Sequence, residues 1–154
     1  MPYDKRTDKR ALFAFAVVFL TSIHSLVFAA DEPVKVAATL ILASNEGNDF
    51  DLVNDEFRDK LIELFSYKSY KQEKAEALEL KRGERVVMTL VDGYELVLTL
   101  QSRENTRVFI QAVIRKESVS YVDTTLSVLT PGVAFLGGPP VNGSTLIIVL
   151  ENGF

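Results

Sequence analysis

The 154-residue sequence has no cysteine, no tryptophan and a single histidine, His24. Without cysteine, a stable fold in an oxidising compartment must rest on packing alone. Beyond residue 24 there is no imidazole or thiol, so neither a Ser-His-Asp nor a Cys-His nucleophile system can be assembled there. The usual zinc and copper sites and His- or Cys-ligated haem are excluded for the same reason, and no cofactor is expected. Any acid or base chemistry would have to come from Asp, Glu, Lys or Tyr. Basic residues number 17 against 21 acidic ones and form no internal cluster. That balance argues against nucleic acid or anionic lipid as partners, because both are bound by displacing counterions with Lys and Arg.

The first thirty residues differ from the rest. "MPYDKRTDKR" supplies Lys5, Arg6, Lys9 and Arg10, "ALFAFAVVFL" has no polar residue, and "TSIHSLVFAAD" ends in small side chains. This is the order of n-region, h-region and cleavage site in a secretory signal peptide, with a cut expected after Ala29 or, failing that, after Ala30. An uncleaved anchor is the competing reading, since residues 11–30 match the length of a membrane span, but Thr21, Ser22, His24 and Ser25 interrupt the apolar run. No cysteine follows it to carry a lipid. The expected product is a single β-rich domain, 30–154, exported to the periplasm or cell exterior and not stably inserted in the membrane once the signal is removed. Removing the leader's four basic and two acidic residues leaves 13 against 19, a net charge of −6.

Within that domain the apolar period is mostly two. Val34, Val36, Ala38, Leu40 and Leu42 alternate with Lys35, Ala37, Thr39, Ile41 and Ala43, which reads as a strand. "DLVNDEFRDKLIELFSY" is the one helical pattern, expected over 51–66. Val53, Phe57, Leu61, Leu64 and Phe65 form its stripe, Leu52 and Ile62 flank it, and Asp49 or Asp51 serves as N-cap. "FSYKSYKQ" and "KAEALEL" read as short strand-like pieces. "ERVVMTLVDGYELVLTLQS" is a hairpin whose Asp92-Gly93 pair suits a two-residue turn of positive φ. Tyr94, Leu96, Leu98 and Leu100 share one face, followed by Val108, Ile110, Ala112 and Ile114, then by Val122, Thr124, Leu126 and Val128. The whole predicts a mainly β fold: an antiparallel sandwich or partly open barrel of seven or eight strands, with the helix over one open face.

Several groups of residues suggest chemistry. Asp49, Asp51 and Asp55 place hard oxygen ligands near one another, as calcium requires, although their spacing is not that of an EF-hand loop. Tyr67 and Tyr70, interleaved with Lys68 and Lys71, could stack on a sugar or a protein partner, or simply be core. Glu95 and Asp123 are conceivable as a glycosidase carboxylate pair. "LGGPPVNG" is not a phosphate loop: Pro139 and Pro140 lack N–H donors, no Lys follows, and the flanks are strands. It is expected to be a stiff connection that guards a sheet edge and delivers "STLIIVL" as a strand buried on both faces. Pro139 and Pro140 are kept with Tyr67 and Tyr70 as partner-binding candidates.

Residues 124–150, "TTLSVLTPGVAFLGGPPVNGSTLIIVL", resemble the strand–GG–strand pattern of secretins, the outer-membrane channels of bacterial secretion and pilus systems. The matching positions are Thr124, Thr125, Gly132, Leu136, Gly137, Gly138 and Leu146–Leu150, whereas Pro139-Pro140 departs from the pattern and no long channel-forming domain is present. The resemblance implies an accessory domain of an envelope machine. The leading expectation is therefore a non-catalytic, exported β domain that binds an envelope protein. A carbohydrate-binding or glycan-acting module and a small outer-membrane β-barrel are the alternatives.

Overall fold

A computed structural model describes residues 32–51 and 55–153; the leader, Leu52 and Val53 lie outside them. Two sheets face each other. Strands β1 (Val34–Ser44), β2 (Phe50–Asp51), β3 (Ser69–Leu80), β8 (Gly132–Val141) and β9 (Ser144–Asn152) form one, in the order β2-β3-β1-β9-β8. Strands β4 (Arg85–Thr89), β5 (Tyr94–Glu104), β6 (Arg107–Lys116) and β7 (Val119–Leu129) form the other, in chain order. Helix α1 (Arg58–Phe65), entered through a 3-10 turn at Asp55–Phe57, packs on the outer face of the five-stranded sheet. The architecture is a mainly β sandwich of two open sheets, so the barrel alternative does not describe the fold.

The alternation read from the sequence sets the interior. Val36, Ala38, Leu40, Leu96, Leu98, Leu100, Val108, Ile110, Ala112 and Ile114 are all buried between the sheets with Leu146, Ile148 and Leu150. A second apolar layer lies beneath the helix, where Ile41, Ala43, Ile147 and Val149 meet Phe57, Leu61 and Tyr70. Central strands β1 and β9 are thus apolar on both faces because both are covered. The expected doubly buried strand at "STLIIVL" is observed.

The differences have physical causes. The four-stranded sheet is a meander, but in the five-stranded sheet the first strand pairs with the last, Val36 opposite Asn152 and Ala43 opposite Thr145. The described residues form nine strands, close to the seven or eight expected. The two pieces predicted around Tyr70 and Leu78 are one strand with a bulge near Glu73. Beyond it Lys74 and Glu76, an ion pair, turn toward the mouth of the sandwich, where the Lys74 ammonium donates to the Thr89 carbonyl at 3.2 Å. The helix begins later than expected: Asp51 lies in β2, no side chain caps α1, and Leu64 is 54 % exposed, pointing away from the sheet. Asp92 and Gly93 do take positive φ, 55° and 76°, and the Tyr94 N–H returns to the Val91 carbonyl.

"LGGPPV" is strand rather than connection. Its six residues belong to β8, and only Asn142-Gly143 turns, with φ of 48° and 81°. Prolines are tolerated there because β8 is an edge strand and its ladder is interrupted between Gly137 and Pro140. The two glycines serve opposite faces. A Cβ on Gly138 would lie 3.0 Å from Ile114 Cδ1 and 3.1 Å from Leu146 Cβ, inside the sandwich, whereas one on Gly137 would meet the Phe65 ring at 3.2 Å.

Candidate functional site

A two-sheet sandwich leaves four edge strands, and three of these are poor templates for another chain. Strand β2 is two residues long. Strand β8 carries the Gly138-Pro139 break, with Pro139 buried and Pro140 exposed. Strand β4 has five residues, begins with Arg85, and has its last carbonyl occupied by Lys74. These are the recognised means of blunting an edge: shortness, proline, bulges and charge.

Strand β7 is different. It runs eleven residues, pairs only with β6, and its sole charged side chain is Asp123. Val119, Tyr121 and Leu129 are 54 %, 50 % and 48 % exposed. The regular part extends from Val122, opposite Ile114, to Leu129, opposite Arg107; a bulge at Tyr121 separates it from the first residues.

Both ends are fixed. At one, the Tyr121 ring packs edge-on against Tyr94 at 5.2 Å, and Lys116 joins Asp92 at 2.9 Å with its ammonium 5.1 Å from the Tyr94 ring. The carboxylate of Asp92 raises the Lys116 pKa, and desolvation followed by the Tyr121 hydroxyl raises that of Tyr94. At the other end the buried Asn152 donates from Nδ2 to the Leu129 carbonyl at 3.2 Å and to Thr130 Oγ1 at 2.6 Å. It ties the β7–β8 corner to β9.

The outer face of the four-stranded sheet carries a shallow depression of about 310 Å³ over Val97 and Val113, rimmed by Arg85, Thr99, Gln111 and Arg115. Its polar groups largely satisfy one another. Arg115 donates to Glu95 through Nε at 3.0 Å and approaches it with Nη2 at 2.9 Å, while Gln111 Nε2 donates to Asp123 at 2.9 Å. Glu95 and Asp123 stand on β5 and β7 with β6 between them, opposite Arg115 and Val113 respectively, and are thus offset by two residues along the strands. Standard strand spacings put their Cα atoms about 12 Å apart. Each carboxylate is thus engaged by a different neighbour.

The other predicted site residues are placed as follows. Tyr70 is fully buried: its hydroxyl donates to the Leu61 carbonyl at 2.9 Å and accepts the Tyr67 N–H at 3.0 Å, and burial raises its pKa. It presents no surface to a ligand. Tyr67 is half-buried, with its hydroxyl 2.8 Å from Thr145 Oγ1. Both tyrosines lock β3 and the helix onto the sheet rather than forming an exposed platform. Asp49 precedes the short strand β2, Asp51 ends it and Asp55 opens the 3-10 turn, and no group of three potential metal ligands converges among the described residues. Among the described residues, no helix is long and apolar enough to cross a membrane.

No family model, curated protein or solved structure matches this chain.

The edge character of β7 was not among the residues singled out from the sequence. A signal was present: "VSYVDTTLSVL" has one charge in eleven residues. Whether such a strand is central or at an edge depends on sheet order, which that pattern does not encode.

Proposed function

We propose that this protein is an exported, non-catalytic protein-binding module of the periplasm or cell envelope that accepts an extended strand of its partner along β7. The observation that carries this reading is the contrast among edges: β7 is long, regular over Val122–Leu129 and nearly uncharged, while β2, β4 and β8 are short, broken or charged. Main-chain hydrogen bonds would supply affinity, and alternate side-chain contacts the specificity, as in other strand-addition complexes. The leader-like first thirty residues support export, and the likeness of residues 124–150 to secretins supports an envelope assembly as the setting.

The test is site-specific photo-crosslinking in cells. A photoreactive residue at Ser127 in β7 should give a defined adduct, while the same residue at Val87 in β4 or Val133 in β8 should not. Equal adduct yields from the three strands, or none from β7, would refute the assignment.

A further inference from the structure

We infer that the strand received by β7 is β7 of a second copy of this chain, antiparallel about a two-fold axis at Thr125; this rests on the strand-addition reading above. In such a pairing side chains that face each other must come from the same side of the sheet. The inward row of β7 is Val122, Thr124, Leu126 and Val128, of which Val128 is fully buried and the rest half-buried; the outward row includes the exposed Asp123, Thr125 and Ser127.

Reversal about Thr125 sets Val122 opposite the second copy's Val128, Thr124 opposite Leu126, Asp123 opposite Ser127, and Thr125 opposite itself. Val122 therefore meets a valine, the Thr124 methyl meets the Leu126 side chain, and the single charge meets a hydroxyl. Asp123 already accepts from Gln111, so it enters the junction paired. Neighbouring registers are worse. An axis at Thr124 draws in the bulge at Tyr121, and one at Leu126 puts the Asp123 carboxylate opposite Leu129.

The seven residues from Val122 to Val128 extend about 24 Å. A single edge of that length buries far less than a standard interface, so the pair forms reversibly and depends on concentration. Association joins two four-stranded sheets into one of eight strands without backbone rearrangement.

The absence of cysteine makes the test clean. Single-cysteine variants Thr125→Cys, Asp123→Cys and Ser127→Cys of the whole protein are oxidised under mild conditions. Only the axis residue meets its own copy. Cysteines at 123 or 127 would lie about 14 Å from their copies, beyond the reach of a disulfide. Thr125→Cys is expected to cross-link at least about tenfold faster than either, with Thr125→Val sedimenting as wild type and Thr125→Lys dimerising about two- to fivefold more weakly through the like charges placed face to face. Equal rates at the three cysteines overturn the register. A wild-type protein that stays monomeric at millimolar concentration, while the Ser127 photoadduct contains a different protein, overturns self-pairing but leaves strand addition standing.

Discussion

Substitution of Gly138 by alanine probes the packing of β8 against Ile114 of β6 and Leu146 of β9. The backbone at this position has no positive φ, so alanine is conformationally acceptable. Loss of unfolded-state freedom would by itself add about 0.4–1 kcal/mol of stability. Against this, the new methyl would sit 3.0 Å from Ile114 Cδ1, 3.1 Å from Leu146 Cβ and 3.3 Å from the Leu146 carbonyl oxygen. Ile114 and Leu146 are fully buried and cannot swing away into solvent. Inserting a methyl into a well-packed core costs about 1–3 kcal/mol, so the net expectation is a loss of up to about 2.6 kcal/mol. Gly137→Ala is the internal control. Its methyl meets only the tip of the Phe65 ring, at 3.2 Å, on the outer face, where the ring belongs to the last turn of the helix and can tilt. It is expected within about 0.5 kcal/mol of wild type. Urea unfolding of the three proteins measures both differences. A Gly137→Ala variant less stable than Gly138→Ala would refute the assignment of the two glycines to opposite faces.

Leu98→Asp and Leu61→Asp each bury an unpaired carboxylate where the leucine is fully buried. Each is expected to cost about 4 kcal/mol or more, enough to unfold a marginal domain. Leu64→Asp, on the exposed side of the same helix, should change thermal melting little; similar melting of Leu61→Asp and Leu64→Asp would show the helix face to be wrongly assigned. Burial raises the Tyr70 pKa above its ordinary value of 10.0. The folded state therefore holds that proton more tightly than the unfolded state, and the stability it contributes is present below pH 10 and lost as pH rises through the folded pKa. Melting temperature should fall above pH 10, and Tyr70→Phe should lower stability at neutral pH while flattening the alkaline fall. An unchanged alkaline slope in that variant would contradict the role given to burial.

The inner faces of β5, β6 and β7 were legible because a strand covered on one side places every second side chain inward, and Leu96, Leu98 and Leu100 or Ile110, Ala112 and Ile114 keep that period. The Asp92-Gly93 turn was legible because few residue pairs adopt two successive positive φ angles at low cost. Strand β3 was read as two pieces because Lys74 and Glu76 occupy inward positions at the sandwich mouth, where an ion pair and the Thr89 carbonyl satisfy them. The helix start was placed too early because acidic residues resembling caps belong instead to β2 and its surroundings. Pro139 and Pro140 suggested a connection because proline is costly in a central strand; at an edge with an interrupted ladder that cost disappears. The pairing of β1 with β9 joins the two ends of the domain, and no local pattern records such a contact. The candidate docking strand was hidden for the same reason, since its exposure follows from sheet order.

Amide hydrogen exchange along β7 reports whether its outer edge is open. In dilute protein, alternate amides from Val122 to Val128, those directed away from β6, are expected to exchange rapidly, and to gain protection when the protein is concentrated or its partner is added. Protection of every β7 amide in the dilute protein, or a gain confined to β4 or β8, would contradict the assignment of β7 as the open edge.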